Sequence, residues 1–252
     1  MPRQDFTSPR LFVSAALSAG QEVALDKAQA NYLCNVLRLG PEATVLAFNG
    51  RDGEWRTRLA VAGKAAHLRP SEQSRPQPEP PDLVYGFAPL KHARLDYMVQ
   101  KAVEMGAGIL QPVLTRRSQA ARVNTGRMAA NVVEAAEQCG VLHVPAVRAP
   151  LGLADWLAAW PAERLLVFCD EDAPVADPVA ALRGAAGDTV PPLGLVIGPE
   201  GGFDPAEREA LGRLPRVVRL SLGPRVLRAD TAAVAALAVI QAVIGDWRES
   251  AD

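Results

Sequence analysis

The first third of the chain alternates apolar and polar residues over short distances. Brief runs of this kind occupy residues 11–13, 44–49, 54–61 and 65–69. Turn-forming pairs such as Asn49-Gly50 and Asp52-Gly53 separate them, and this alternation is typical of half-buried β-strands. One helical stretch, from about Lys27 to Leu37, interrupts the series. Strands this short and this closely spaced predict a small β-barrel.

Beyond residue 82, apolar runs alternate with helical periodicity. The predicted strands are 83–88, 109–114, 165–169, 193–197 and 216–221. The predicted helices cover about 91–105, 126–139, 177–184, 205–213 and 230–245. This alternation predicts an α/β fold with a mostly parallel sheet and helices on both faces. Ligands of such sheets bind beyond the carboxyl ends of the strands.

A proline-rich stretch, PSEQSRPQPEPP at residues 70–81, separates the two patterns. Its five prolines and its lack of apolar residues predict extended backbone outside a packed core. We therefore expect a small N-terminal domain at 1–72, a linker at 73–82 and a larger domain at 83–252.

The sequence GPEGG, residues 198–202, lies between a predicted strand and a predicted helix. Asp204, Pro205 and Glu207 form a helix start with an N-cap, proline at the first position and a capping box. The loop matches neither G-x-G-x-x-G nor a P-loop. Glu200 would repel a pyrophosphate and suits a cationic ligand or a ribose hydroxyl better. A tight strand–helix turn would explain the loop if it stood alone.

A second glycine turn follows the next predicted strand, in LSLGPRVLRADTAAVAAL at 220–237. Arg225 and Arg228 lie beside this turn, and Asp230-Thr231 begins a helix that is apolar on nearly all sides. Such a helix is buried in a core or in a subunit interface. Because both glycine turns follow successive strands, we expect them to form one pocket.

Five motifs in this order resemble the RsmE family of 16S rRNA (uridine-N3) methyltransferases, in the SPOUT superfamily. The likeness covers nearly the whole chain and is carried by NYLCNVLRLG, KHARLDYMVQKAVEMGAGILQPVLTRRS, EAAEQCG, GPEGGF and LGPRVLRADTA. The resemblance implies a PUA-like RNA-binding barrel followed by an α/β domain whose C-terminal chain forms a deep trefoil knot. It also implies methylation of N3 of a uridine in 16S rRNA of the small ribosomal subunit.

By the same resemblance, S-adenosylmethionine is the cofactor and binds against the knot, largely through backbone groups. Glycines would admit its adenosine moiety, and negative charge would tolerate its sulfonium. The implied cofactor contacts are Gly198, Glu200, Gly201, Leu220, Leu222, Gly223, Val226 and Leu227. The loop around Cys169–Glu171 is expected to close the third side of the pocket.

Two candidate catalytic residues follow from the expected reaction. Uridine N3 is protonated at neutral pH, so its proton must leave before or during attack. Arg228 would position the uracil and stabilise charge at its carbonyl oxygens. Glu200 could act on the proton only if it were buried. Two positions depart from the family pattern: Asp230 is shorter than the usual acidic residue, and Val141 replaces an arginine.

Basic residues concentrate in the middle of the chain, although the formal net charge is only −1. Residues 83–130 hold seven basic and two acidic side chains, a local excess that attracts phosphates. Lys91, Arg94 and Lys101 fall on one helical stripe. The predicted RNA contacts are Arg10, Arg38, Lys91, Arg94, Lys101, Arg116 and Arg117. A solvated surface would show the same pattern, and Arg38 could instead be an ion-pair partner.

The remaining features exclude several classes of protein. No apolar run approaches the ~20 residues that span a bilayer, and the N-terminus lacks the apolar core of a signal peptide. Cys139 and His143 lie four apart without two further ligands nearby, so no metal site is expected. We expect a cytoplasmic protein, and the resemblance implies a homodimer.

Three alternatives remain open at this point. A SPOUT methyltransferase could act on a ribose oxygen or on tRNA, although the PUA-like front end argues against it. The chain could be a non-catalytic RNA-binding or ribosome-assembly factor, although both glycine motifs are intact. A small-molecule α/β enzyme would leave the basic region unexplained and lacks a GxSxG or Walker motif.

Overall fold

The computed structural model describes residues 5, 7–63, 65–91, 93–118, 122–173, 177–187 and 189–248. The chain forms two compact units. One comprises the residues up to Pro80 together with Val133–Val144, and the other comprises Pro81–Val132 together with the chain from Pro145 onward. The helix predicted near 126–139 therefore contributes residues to both units.

The N-terminal unit contains a five-stranded curled sheet. Its strands are β1 (Arg10–Phe12), β2 (Val23–Ala24), β3 (Thr44–Phe48), β4 (Glu54–Ala62) and β5 (Ala65–Arg75). The spatial order is β1-β3-β4-β5-β2. β1 runs parallel to β3, and the other pairs are antiparallel. Strand residues such as Val45, Leu59 and Leu68 are fully buried in one core, to which Leu33 of the helical segment also belongs.

Three local details of this unit differ from the prediction. Helix α1 (Lys27–Asn31) begins at a capping box of Asp26 and Gln29, but the chain then tightens into a π-turn at Tyr32–Val36. β5 extends to Arg75, past the predicted end at residue 69, because it pairs with β4 along its length. β2 was missed, since two residues carry no periodicity.

The C-terminal unit contains a parallel sheet. Its strands are β6 (Leu83–Phe87), β7 (Ile109–Leu114), β8 (Ala146–Val147), β9 (Leu151–Gly152), β10 (Leu165–Cys169), β11 (Leu193–Ile197) and β12 (Val217–Leu220). The order is β12-β10-β11-β6-β7-β8, and β9 pairs with β7. Every one of these pairings is parallel. The predicted mixed α/β class is confirmed.

Six helices accompany these strands in the described chain. They are α2 (Ala93–Glu104), α3 (Thr125–Cys139), α4 (Leu153–Ala158), α5 (Pro178–Ala186), α6 (Pro205–Gly212) and α7 (Ala229–Ile244), followed by a 3₁₀ turn at Asp246–Arg248. His92, in the predicted helix 91–105, lies outside the described residues. The prediction missed α4 and the two-residue strands β8 and β9, which are too short to show a period.

The position of β10 and β11 determines where a ligand can bind. Both strands are central, and their apolar runs are almost entirely buried, as expected for a covered parallel sheet. β10 lies between β11 and β12. The carboxyl ends of these three strands, Cys169, Ile197 and Leu220, therefore lie together at one edge of the sheet.

Candidate active site

A pocket of about 150 Å³, open to solvent, lies at this edge. It is formed by the segments that follow β10, β11 and β12 and by the first turn of α7. The lining residues are Cys169, Asp170, Glu171, Ile197, Gly198, Pro199, Glu200, Gly202, Phe203, Leu220, Ser221, Leu222, Gly223, Arg225, Val226, Leu227, Ala229 and Ala232. The two glycine loops thus form one pocket.

Different positions of GPEGG require glycine for different structural reasons. A Cβ on Gly198 would lie 2.8 Å from the Phe203 ring, so this glycine makes room for Phe203. Gly202 has φ +67°, a backbone conformation that other residues rarely adopt. A Cβ there would also lie 3.1 Å from Glu171 Oε1. The expectation that these glycines make room only for a ligand is therefore incomplete, because Phe203 occupies the space beside Gly198.

Helix α6 anchors the end of this loop. Asp204 accepts a hydrogen bond from the Glu207 backbone NH, and Glu207 accepts one from the Asp204 NH, which completes the predicted capping box. Arg116 donates to Asp204 Oδ2 at 2.9 Å, and its backbone NH donates to Glu207. Arg117 donates to the carbonyl of Gly201 at 2.6 Å. Both arginines therefore hold the glycine loop.

The second glycine loop presents mostly backbone to the pocket. Gly223 has φ +99° and would have open space around a Cβ, so its conformation is the reason for glycine. Leu220 is fully buried and Leu222 is partly buried. The Val226 side chain is 90% exposed. Val226 therefore lines the pocket as an accessible residue.

The segment that follows β10 forms the third wall of the pocket and carries acidic side chains. Asp170 is buried, whereas Glu171 is exposed. With Glu200, three carboxylates line the pocket beside the guanidinium of Arg225. Each of the three also pairs with an arginine outside the lining: Asp170 with Arg208 and Arg219, Glu171 with Arg208, and Glu200 with Arg94. The lining therefore offers carboxylate oxygens to a ligand without a large excess of negative charge.

Two groups near this wall keep their protons at neutral pH. Burial raises the pKa of the Cys169 thiol to about 12, and the neighbouring Asp170 carboxylate adds to the shift. Cys169 is therefore a neutral thiol and a poor nucleophile. Burial also raises the pKa of Tyr85, with contributions from Cys169 and Asp230. The Tyr85 hydroxyl has no hydrogen-bond partner within the described part of the chain.

Most predicted cofactor-binding residues line this pocket. They are Gly198, Glu200, Leu220, Leu222, Gly223, Val226 and Leu227. Gly201 does not line it, because its carbonyl faces Arg117. Gly202, Phe203, Arg225, Ala229 and Ala232 line it without having been predicted. Ala229 and Ala232 lie three apart in α7, a spacing that could have indicated their common face.

The two candidate catalytic residues lie in different surroundings. Glu200 lines the pocket, and its side chain is only 32% exposed, with Arg94 at 3.5 Å. Arg228 is the N-cap residue of α7 and is exposed, but it is not part of the lining. Arg225 is the arginine that lines the pocket. Asp230 accepts a hydrogen bond from the Thr231 NH, which places it in the first turn of α7.

Two predicted RNA contacts belong to the N-terminal unit. Arg10 is only 8% exposed and donates to Glu54 at 2.9 Å. The RNA contact at Arg10 stays a prediction, although in this structure a buried ion pair uses its guanidinium. Arg38 is exposed and adopts φ 56°, next to the exposed side chains of Val36 and Leu37. No described carboxylate pairs with Arg38, so it is accessible.

The basic stripe of the second unit is only partly available. Lys91 is exposed, and so is Arg94 apart from its long contact with Glu200. Lys101 pairs with Glu104 at 2.7 Å and lies 5.6 Å from the centre of the Tyr97 ring. Its charge is therefore shared with neighbours on α2.

The described residues contain neither a metal-binding cluster nor a membrane-spanning helix. No group of three or more His, Cys, Asp or Glu side chains there is arranged to hold a metal ion. No helix in the same part of the chain combines the length and apolar character that crossing a membrane requires.

Comparison with known proteins identifies the family to which this chain belongs. The model of an RNA methyltransferase domain matches residues 77–241, and that of an RNA methyltransferase PUA domain matches residues 25–70. The chain belongs to the RsmE family of RNA methyltransferases. A ribosomal RNA small subunit methyltransferase E from Synechocystis is 31% identical over 93% of this chain and 78% of its own length. The namesake from Rickettsia conorii is 27% identical over 92% of this chain and 94% of its own length.

Solved structures of RsmE-type proteins share the fold. The ribosomal RNA small subunit methyltransferase E from Neisseria gonorrhoeae, bound to S-adenosyl methionine, matches with a TM-score of 0.79 and 27% identity. A Legionella pneumophila methyltransferase in complex with the same cofactor matches with a TM-score of 0.78 and 27% identity. Each alignment covers 93% of this chain and 97% of the solved one.

Proposed function

We propose that this protein transfers a methyl group from S-adenosylmethionine to N3 of a uridine in 16S rRNA of the small ribosomal subunit. One observation carries the proposal: both glycine loops of an RNA methyltransferase domain converge on a single pocket whose lining includes the carboxylates of Glu171 and Glu200. The S-adenosyl methionine bound to two solved relatives is a sulfonium cation, which such carboxylates can face.

The residues present fit the proposed cofactor. Ile197, Leu220 and Leu227 offer apolar surface to an adenine ring, and the backbone around Gly223 offers amides and carbonyls. Glu171 and Glu200 provide carboxylates for ribose hydroxyls or for cationic groups. When bound, S-adenosylmethionine supplies a methyl group activated by the positive sulfur.

The protein contributes positioning more than strong base catalysis. Arg225 lines the pocket and Arg228 lies three residues further on, so both guanidiniums are available to hold a uracil and to stabilise charge at its carbonyl oxygens. Glu200 is the carboxylate that the glycine loop could offer to the uracil, and Arg94 is its neighbour. Holding the two reactants together removes much of the barrier.

For the RNA substrate, we propose contacts in each unit. Arg38 in the first unit is accessible, as are Lys91, Arg94, Arg116 and, more weakly, Lys101 in the second. Arg116 and Arg117 also support the glycine loop, so a phosphate contact there would link RNA binding to the pocket. Activity on ribosomal RNA supports location in the cytoplasm.

The chain is proposed to have two domains joined by a linker and to form a homodimer. Residues 1–72 would form the RNA-binding domain, 73–82 the linker and 83–252 the methyltransferase domain, whose C-terminal chain would form the trefoil knot. Because β5 continues to Arg75, the first three residues of this linker also belong to the N-terminal sheet. Two chains would form a homodimer. The apolar character of α7, in which Val234 and Val239 remain only partly buried, supports the dimer.

The variant that tests this proposal fills the pocket without changing a residue of the two glycine loops. Ala232 lines the pocket on α7, so Ala232→Trp places an indole where the cofactor is expected. Ala130→Trp, on the exposed face of α3, is the matched control. Wild type and control are expected to bind S-adenosylmethionine in calorimetry and to form 3-methyluridine in 16S rRNA, detected by nucleoside mass spectrometry. Ala232→Trp is expected to lose both activities.

The outcomes separate the alternatives. Cofactor binding without 3-methyluridine, but with another methylated nucleoside, would indicate a methyltransferase of different specificity. Absence of cofactor binding in the wild type, with and without RNA, would contradict the proposal and favour a non-catalytic RNA-binding factor.

A further inference from the structure

A buried carboxylate lies in the wall of the pocket, where no catalytic step requires it. Asp170 follows β10 directly, and its side chain is only 1% exposed. A buried charge of this kind is costly unless it is paired and hydrogen-bonded. Its partners therefore indicate what it does.

Two arginines compensate the charge of Asp170. Arg219 donates to Oδ2 through Nε at 3.0 Å and through Nη2 at 2.6 Å. Arg208 pairs with Oδ1 at 3.2 Å. The backbone NH of Asp172 also donates to Oδ1, at 3.2 Å. Both carboxylate oxygens are therefore occupied.

These partners come from the elements that carry the other two walls. Arg208 lies on α6, the helix that follows GPEGGF. Arg219 lies on β12, immediately before the wall residue Leu220. The backbone NH of Asp170 donates to the carbonyl of Leu220 at 2.9 Å. Asp170 thus connects all three segments that form the pocket.

Arg208 extends the connection to the rim. It donates to Glu171 Oε1 at 2.7 Å and pairs with Asp172. Burial opposes its charge, but the hydrogen bond to Asp172 and the fields of Asp170 and Glu171 outweigh it, so the pKa of Arg208 lies above its ordinary value. Arg208 thereby holds the Glu171 carboxylate beside Gly202, where a Cβ would meet it at 3.1 Å.

We propose that Asp170 is a positioning residue for cofactor binding: with Arg208 and Arg219 it holds the three pocket walls at the spacing that the cofactor requires. This inference rests on the proposed function. Asp170 does not itself react with the substrate. Its effect is exerted through the position of Glu171 and of the two glycine loops.

The chain provides a matched control in its other unit. Glu54 is also a buried carboxylate, 2% exposed, and also pairs with two arginines, Arg10 at 2.9 Å and Arg75 at 2.6 Å. It does not line the pocket. Glu54→Gln and Asp170→Asn therefore remove the same kind of interaction, one away from the pocket and one within its wall.

The first measurement is the dissociation constant for S-adenosylmethionine. Asp170→Asn is expected to weaken binding by roughly 10- to 100-fold, the size of effect seen when residues that orient the ligands of a bound group are removed. Glu54→Gln is expected to stay within about twofold of the wild type. In the methylation assay, Asp170→Asn is expected to raise KM for the cofactor, with kcat at saturation nearly unchanged.

The second measurement needs no cofactor, so it separates this inference from the proposed function. Hydrogen exchange of segments 198–203 and 220–227 is expected to accelerate in Asp170→Asn relative to the rest of the second unit, and Glu54→Gln is expected to show no such local acceleration. If Asp170→Asn does not fold, Arg208→Gln removes one arm of the network and is expected to show the same changes more weakly. Wild-type exchange and wild-type cofactor affinity in both variants would overturn the proposal.

Discussion

At the scale of single residues, partners distant in sequence decide what a charged side chain does. Glu54 lies between Arg10 and Arg75, which are 44 and 21 positions away. Burial alone would raise its pKa, but hydrogen bonds from Arg75, Ser74 and Arg10 outweigh burial and hold the pKa below its ordinary value of 4.5. This buried ion triad occupies the guanidinium of Arg10.

The lowered pKa makes a prediction about acid stability. A carboxyl whose pKa is lower in the folded state stabilises the fold above its unfolded pKa, and this contribution is lost as pH falls through the folded pKa. At pH 7 we expect the free energy of unfolding of Glu54→Gln, measured with urea, to be about 3–5 kcal/mol lower than that of the wild type. The difference is expected to shrink below about pH 4.5. A difference that stays constant with pH would contradict this explanation.

At the scale of elements, the first turn of α6 joins secondary structure to the site. The capping box of Asp204 and Glu207 ends the glycine loop, and Arg116 is bound to both residues. A matched case exists in α5, where Asp177 caps the helix through the backbone NH groups of Val179 and Ala180. Asp177 is not part of the pocket lining.

Loss of either cap is expected to lower stability, but only one of the two losses is expected to weaken cofactor binding. Asp204→Ala and Asp177→Ala should each lower the melting temperature by roughly 2–4 °C, since each loses a helix cap. Only Asp204→Ala is expected to weaken cofactor binding severalfold, because it also releases Arg116 from the glycine loop. Calorimetric titration of both variants checks this. Equal affinities would show that the cap acts on stability alone.

At the scale of the whole molecule, α7 has more apolar surface than one chain buries. Ala233, Leu237 and Ile240 are buried in the second unit. Val234, Ala235, Ala238 and Val239 are only partly covered. A partly covered apolar face of this kind favours association between copies of the chain.

The proposed homodimer therefore has a direct test. Light scattering on the purified protein is expected to give twice the mass of one chain, and Ala238→Arg is expected to give a monomer because it places a charge on the exposed side of α7. A monomeric wild type would contradict the dimer. A dimer that persists in Ala238→Arg would place the interface elsewhere.

The periodicity of the sequence was enough to predict the parallel sheet and the strand ends that form the pocket. Strands such as β10 and β11 are continuous apolar runs, and the start of α6 is a local capping motif. These features depend on residues only a few positions apart, so a linear pattern records them.

Tertiary structure alone decided which side chains remain available. It buried Arg10 against Glu54, directed Gly201 toward Arg117 and placed Asp170 between Arg208 and Arg219. These partners are 38 to 84 residues apart. No local period specifies such pairs, because they form only when strand order and register bring distant segments together. The sequence by itself therefore determined where the pocket lies, and the packing of the chain decided which charges hold it open.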